Sequence, residues 1–143
     1  MVYKLLKLSK ILVAVDGSKY SDKAFEYAAN MIHDHKQQLL IVHIIENLGN
    51  IGYSNLNQLK QDSQTILKKY ITKAESKGLK SSIKIIEDQG NNSAEKILDI
   101  SESEKVDTVI VSTKGQKASE QFLLCSTSYK VAHYSKCTVI IVK

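Results

Sequence analysis

Short runs of apolar residues alternate along the chain with longer segments whose apolar residues recur every three or four positions. The first run covers residues 11–15 and contains no polar residue, and residues 39–45 repeat the pattern around one histidine. Continuous apolar runs of this length are typical of strands buried on both faces, whereas the three-to-four spacing is typical of helices with one buried face. The alternation therefore predicts a parallel sheet with helical crossovers.

The pattern fits one α/β domain, residues 1–143, with a doubly wound, five-stranded parallel sheet. The strands are predicted at residues 11–15, 39–45, 82–87, 107–111 and 138–142. The helices are predicted from Ser18 or Ser21 to about His35, from 55 to 77, from 91–93 to just before 106, and from about 126 onwards. The first strand should be central. The third strand alternates polar and apolar residues and should lie at an edge, and the last strand is a candidate for an exposed edge.

Charge and hydropathy narrow the function classes. The formal net charge of +5 comes from lysine alone, because the sequence contains no arginine. Lysine lacks the planar fork used for bidentate phosphate and guanine contacts, and the lysines form no basic run, which argues against nucleic-acid binding. No segment has the features of a signal peptide or the length of a membrane span. We therefore expect a soluble cytoplasmic protein with no nucleic-acid or membrane partner.

The cysteines and histidines do not form a recognisable metal site. Cys125 and Cys137 are twelve positions apart and make no CxxC pair, so they are expected to be reduced thiols. His33 and His35 are two positions apart, which on a helix directs them away from each other. His43 lies inside a buried strand and is interpreted as a hydrogen-bonded core residue.

The first strand ends at a polar turn. Asp16, Gly17 and Ser18 follow directly after the apolar run. In open α/β sheets, ligands bind outside the carboxyl ends of the strands. Asp16 is therefore a candidate ligand-binding residue.

A second candidate segment, residues 112–128, reads STKGQKASEQFLLCSTS and joins the fourth strand to the last helix. Backbone amides in its first turn and at the helix start would suit phosphate oxygens, with Gly115 permitting close approach and Lys114 supplying charge. The hydroxyls of Ser126 and Thr127 fit either phosphate binding or helix capping. The spacing alone leaves both interpretations open.

These residues resemble a known family. The opening VAVDGS, the IVHII of the second strand and the final VIIVK are similar to the universal stress protein family over nearly the whole chain. Nucleotide-binding members of that family show G, two residues, G, nine residues, then G followed by S or T. This chain has the same frame in Ser112, Gly115, Cys125 and Ser126, with two of the three glycines replaced.

The resemblance implies a Rossmann-like fold of the adenine nucleotide alpha hydrolase-like type. It implies ATP or AMP as the ligand, with magnesium carried by the phosphates, and a homodimer formed through the last strand. Asp16 matches the acid near the ribose and adenine, and Ile44 matches the residue whose backbone meets the adenine. The positions that match the phosphate-binding segment are Ser112, Gly115, Cys125, Ser126 and Thr127. Lys114 joins these candidate binding residues because of its charge, and not through the resemblance.

Three functions remain open from the sequence. The first is a non-catalytic stress protein that binds an adenine nucleotide. The second is a family member that has lost the nucleotide and acts by dimerising and docking partners, an interpretation favoured by the replacements at Ser112 and Cys125. The third is an enzyme, which has little support because no Walker loop is present and Asp16 has no acid-base partner nearby in sequence. Slow ATP hydrolysis is the most that this third function would include, and Cys125 at a helix start also admits a redox-sensing role.

Overall fold

The computed structural model describes residues 10–33, 36–46, 53–88, 93–114 and 126–143, with the backbone alone at 46, 53–56 and 82–88. Strands and helices alternate through these ranges. In chain order they are β1 (Lys10–Ala14), α1 (Lys19–Met31), β2 (Gln38–Glu46), α2 (Tyr53–Ser76), β3 (Ser81–Asp88), α3 (Ser93–Ser103), β4 (Thr108–Ser112), α4 (Ser126–Tyr134) and β5 (Thr138–Val142).

The strands form one parallel sheet in the order β3-β2-β1-β4-β5. The predicted α/β class with a Rossmann-like parallel sheet is confirmed, and β1 is central as its uninterrupted apolar sequence indicated. β3 and β5 lie at the two edges, also as predicted. Each predicted strand matches an observed one to within one residue at either end.

Two apolar cores cover the two faces of the sheet. On one face, Ile11 and Val13 pack with α1 and α2 in a core that includes Phe25 and Tyr70. On the other face, Leu12 packs with α3 and α4. Successive β1 residues thus point into different cores, which explains why residues 11–13 are all apolar.

The ends of the helices follow local signals. Ser18 is the N-cap of α1 and its side chain accepts a hydrogen bond from the Ser21 amide at 3.2 Å. The prediction that α1 extends to about His35 is wrong, because Ile32 already adopts an extended backbone after the helix ends at Met31. α2 ends as predicted before Gly78, whose φ of +69° allows the Leu79 amide to donate to the Ala74 carbonyl at 3.0 Å.

The helices also bear on the expectation about membranes. Within the described ranges, no helix combines the length and the apolar character needed to cross a bilayer.

Candidate functional site

The carboxyl ends of β1 and β4 lie side by side at the centre of the sheet. From β1 the chain passes to β2 and β3 on one side, and β4 and β5 then lie on the other side. The two strands pair Val13 with Ile110, so continuing this register by two residues places Ser112 level with Val15, next to Asp16. Such a switch point is where open α/β sheets form their ligand crevice.

The turn after β1 holds the Asp16 side chain in place. The Asp16 Oδ1 atom accepts a hydrogen bond from the Ser18 amide at 2.9 Å, and the Asp16 amide donates one to Ser21 Oγ at 3.2 Å. Gly17, between Asp16 and Ser18, has a φ of +84°, and a β-carbon there would lie 3.3 Å from the Ile66 side chain. The turn therefore requires glycine for two reasons, the backbone angle and the close approach of α2.

A hydrogen-bonded group lies between α1 and α2, behind this turn. The fully buried Tyr70 donates its hydroxyl to Asp22 Oδ1 at 2.6 Å and lies 2.9 Å from Ser21 Oγ. Lys69 Nζ lies 2.8 Å from each oxygen of Asp22. We refer to Ser21, Tyr70, Asp22 and Lys69 as the α1–α2 relay.

The electrostatics of the relay follow from these contacts. Burial acts to raise the pKa of Asp22, but hydrogen bonds from Lys69 and Tyr70 outweigh it, and the pKa lies below its ordinary value. Burial raises the pKa of Tyr70, and the hydrogen bond to Asp22 raises it further. Tyr70 is therefore a neutral hydrogen-bond donor and Asp22 an ionised acceptor near pH 7.

The turn after β4 is tied to α4 and to β5. Ser112 Oγ donates to the Lys114 carbonyl at 2.7 Å, and Ser128 of α4 donates to the Ser112 carbonyl. The Thr113 amide donates to the Val142 carbonyl at 3.0 Å. These bonds bring the first turn of α4 against the end of β4.

Ser112 stands at the first glycine position of the family frame. Within the described ranges, Lys105 is the one non-glycine residue with a positive φ, so the backbone at Ser112 is not left-handed. A serine there carries no left-handed strain. Its hydroxyl is directed to the carbonyl of its own loop.

Two lysines approach Tyr20, which follows the turn after β1 at the start of α1. Lys19 Nζ lies 5.3 Å from the centre of the Tyr20 ring, and Lys114 Nζ lies 5.9 Å from it. Both distances are within the range of cation–π attraction. The crevice between β1 and β4 is thus bordered by positive charge as well as by Asp16.

The remaining candidates are placed as follows. Ser126 and Thr127 are the first residues of α4, exposed and half-buried respectively. The β1–β2 register pairs Ala14 with Val42, and continuing it by two residues places Ile44 level with Asp16. Gly115 and Cys125 lie outside the described residues.

Sequence reasoning missed several residues beside the crevice. Tyr20 and the pairing of Tyr70 with Asp22 were not predicted. The prediction for His43 is confirmed, because it is buried and its Nδ1 atom lies 2.7 Å from the Val15 carbonyl at the end of β1. Among the described residues, no group of three histidine, cysteine or carboxylate side chains is arranged to hold a metal ion.

Comparison with known proteins identifies one family. The sequence pattern of the Universal stress protein family matches residues 7–143. Universal stress protein YxiE of Bacillus subtilis is 29% identical over 94% of this chain and 99% of its own length. Universal stress protein MJ0531 of Methanocaldococcus jannaschii is 26% identical over 94% of this chain and 81% of its own.

Solved structures share the fold. The hypothetical protein MJ0577 superposes with a TM-score of 0.84 at 21% identity, covering 96% of this chain and 97% of its own. A universal stress protein from Archaeoglobus fulgidus in complex with dAMP has a TM-score of 0.72 at 17% identity, covering the whole of both chains. A family protein from Arabidopsis thaliana with AMP bound has a TM-score of 0.69 at 17% identity, covering 94% and 91%.

Proposed function

Because the chain belongs to the universal stress protein family, we propose that it binds an adenine nucleotide, ATP or AMP, without catalysing its turnover. One observation carries the proposal: Asp16 and the Ser112–Lys114 turn lie together at the switch point between β1 and β4. The dAMP and AMP complexes of structural neighbours support the choice of ligand class. In this proposal the protein acts in the stress response as a nucleotide-dependent binding module in the cytoplasm.

The two ends of the nucleotide meet different chemistry in this proposal. Asp16 contacts the ribose and adenine end, and the backbone of Ile44, level with it on β2, meets the adenine ring. The phosphates, with any magnesium they carry, lie toward Lys114 and the first turn of α4, where an ammonium group and helix amides favour negative charge. The proposed phosphate-binding positions are Ser112, Lys114, Gly115, Cys125, Ser126 and Thr127.

The turn after β4 accommodates serine at position 112, where the family frame has glycine. The ordinary φ at Ser112 and the hydrogen bond of its hydroxyl to Lys114 show a serine accommodated within the turn. The tie from Ser128 keeps the α4 amides beside that turn. Both features support retention of the phosphate-binding arrangement.

Thermal unfolding with ATP, AMP and GTP tests the proposal. A ligand at a hundredfold excess over its dissociation constant should stabilise the fold by about 2.7 kcal/mol. We expect adenine nucleotides to raise the Tm, GTP to raise it less, and Asp16→Asn to reduce the ATP shift. No shift of the Tm at millimolar ATP, with or without magnesium, would contradict nucleotide binding.

Analysis of the ligand released by heating freshly purified protein then identifies the nucleotide supplied by the cell.

The position of β5 favours a second candidate function, a dimerising module that docks protein partners without nucleotide. β5 is an edge strand, and its residues Val139–Val142 are half-buried. We propose that a second copy of the chain pairs along this edge. Light scattering should then give about 32 kDa, twice the 16.0 kDa of one chain. A mass of one chain at micromolar concentration would contradict this assembly.

A further inference from the structure

The α1–α2 relay connects directly to the Asp16 turn. The Asp16 amide donates to Ser21 Oγ at 3.2 Å, and Ser21 Oγ lies 2.9 Å from the Tyr70 hydroxyl. Tyr70 in turn donates to Asp22 at 2.6 Å. A continuous path of hydrogen bonds therefore runs from the backbone of Asp16 to an ionised carboxylate held by Lys69.

The number of protons limits the directions of these bonds. Tyr70 has one hydroxyl proton, and the 2.6 Å bond to the carboxylate uses it. At the Ser21 contact Tyr70 can then only accept. The single hydroxyl proton of Ser21 has two acceptors, the Ser18 carbonyl at 3.1 Å and the Tyr70 oxygen at 2.9 Å. Ser21 is thus held from both sides while it accepts from the Asp16 amide, and bonds in such a network polarise one another.

We infer that Tyr70 is a positioning residue for the nucleotide site, acting through Ser21 to hold the Asp16 turn in its binding geometry. This inference rests on the proposed function. Its basis is that Tyr70 and the Ser18 carbonyl together select the Ser21 rotamer that accepts from Asp16. α2 thereby contributes to the site through the Tyr70 hydroxyl.

The alternative to this positioning role is that Tyr70 serves only the packing of the core. Its ring lies 5.1 Å from the Phe25 ring and is fully buried in the core. Tyr70→Phe keeps this packing and removes only the hydroxyl. Tyr27→Phe is a matched control, because Tyr27 is on α1 and 48% exposed.

Amide hydrogen exchange in the nucleotide-free protein tests the relay itself. We expect the Asp16 amide to exchange about threefold faster in Tyr70→Phe, since the bond it donates is weakened. Ser21→Ala removes the acceptor and should accelerate exchange further, whereas Tyr27→Phe should leave it unchanged. Equal Asp16 exchange in wild type and Tyr70→Phe would overturn the inference.

ATP titrations of four proteins test the coupling to the site: wild type, Tyr70→Phe, Asp16→Asn and the double variant. We expect Tyr70→Phe to weaken ATP binding about fivefold when Asp16 is present, and to have no effect in the Asp16→Asn background. Equal weakening in both backgrounds, or none in either, would overturn the inference while leaving the proposed function intact. Failure of the wild type itself to bind ATP would overturn the proposed function, and the positioning role with it.

Discussion

Gly17 and Ile66 are in such close contact that a β-carbon at Gly17 would lie 3.3 Å from the Ile66 side chain. The first turn of the crevice is thus closed from behind by α2. Gly17 also has a positive φ, so one residue satisfies a backbone requirement and a packing requirement together.

Substitution of two glycines separates these requirements. Gly78 has a φ of +69° but no heavy atom within 4 Å of the position that a β-carbon would occupy, whereas Gly17 has both the φ and the crowding. Gly78→Ala should lower the free energy of unfolding by about 1 kcal/mol through backbone strain alone. Gly17→Ala should lower it by about 2 kcal/mol or more, because Ile66 must also move. Equal losses by urea unfolding would show that the Ile66 contact is easily relieved.

Lys114 should distinguish nucleotides by their phosphate charge. An exposed charge pair at about 4 Å is worth about 1 kcal/mol in water, so we expect Lys114→Gln to weaken ATP binding about fivefold and AMP binding less. Lys136→Gln is the control, because Lys136 is highly exposed and precedes β5, at the opposite end of the sheet. Calorimetric titrations at two salt concentrations provide the measurement, and added salt should weaken ATP binding to the wild type more than to Lys114→Gln. An equal effect on ATP and AMP would place Lys114 away from the outer phosphates.

Asp22 should make stability depend on acid pH. Its pKa in the fold lies below the ordinary value of 3.8, so the stability it contributes is fully present above that value and is lost as pH falls through the folded pKa. Asp22→Asn keeps an acceptor for Tyr70 but lacks the charge that pairs with Lys69. We expect the variant to be about 0.5–1 kcal/mol less stable at pH 7 and the difference to shrink in acid. A difference that stays constant down to pH 2 in urea unfolding would exclude this origin.

Tyr70 should ionise in alkali later than an ordinary tyrosine side chain. Its pKa is raised by burial and by Asp22, so the stability it contributes is present below about pH 10 and is lost as pH rises through its folded pKa. Phenolate absorbance should show a late step that is missing in Tyr70→Phe and retained in Tyr27→Phe. Ionisation of Tyr70 at the ordinary tyrosine pKa would contradict the hydrogen bond to Asp22.

The strands were predictable because burial on both faces removes polar residues from a short run. Residues 11–15 carry this signal without interruption, and residues 39–45 carry it with one histidine. The end of α1 was harder to predict, since Ile32 continues the apolar spacing although its backbone has already left the helix. A spacing pattern reports which face is buried and does not report where the backbone turns.

That the turns after β1 and β4 lie side by side was also predictable, because parallel topology brings the carboxyl ends of neighbouring strands to one edge of the sheet. The partners of Tyr70 were not. Ser21 and Asp22 are 49 and 48 residues away in sequence, and their contacts depend on how α1 and α2 pack. In the sequence, Tyr70 reads as one more apolar residue of a helical stripe.

The placement of β1 between β2 and β4 has a consequence for synthesis of the chain. β2 can pair with β1 soon after it leaves the ribosome, but about 90 residues separate the end of β1 from the start of β4. At about 5–20 residues per second, one edge of the central strand β1 remains unpaired for on the order of 5–20 s. The nascent protein therefore passes through a stage in which one edge of β1 is unpaired, and the crevice is assembled only when that stage ends.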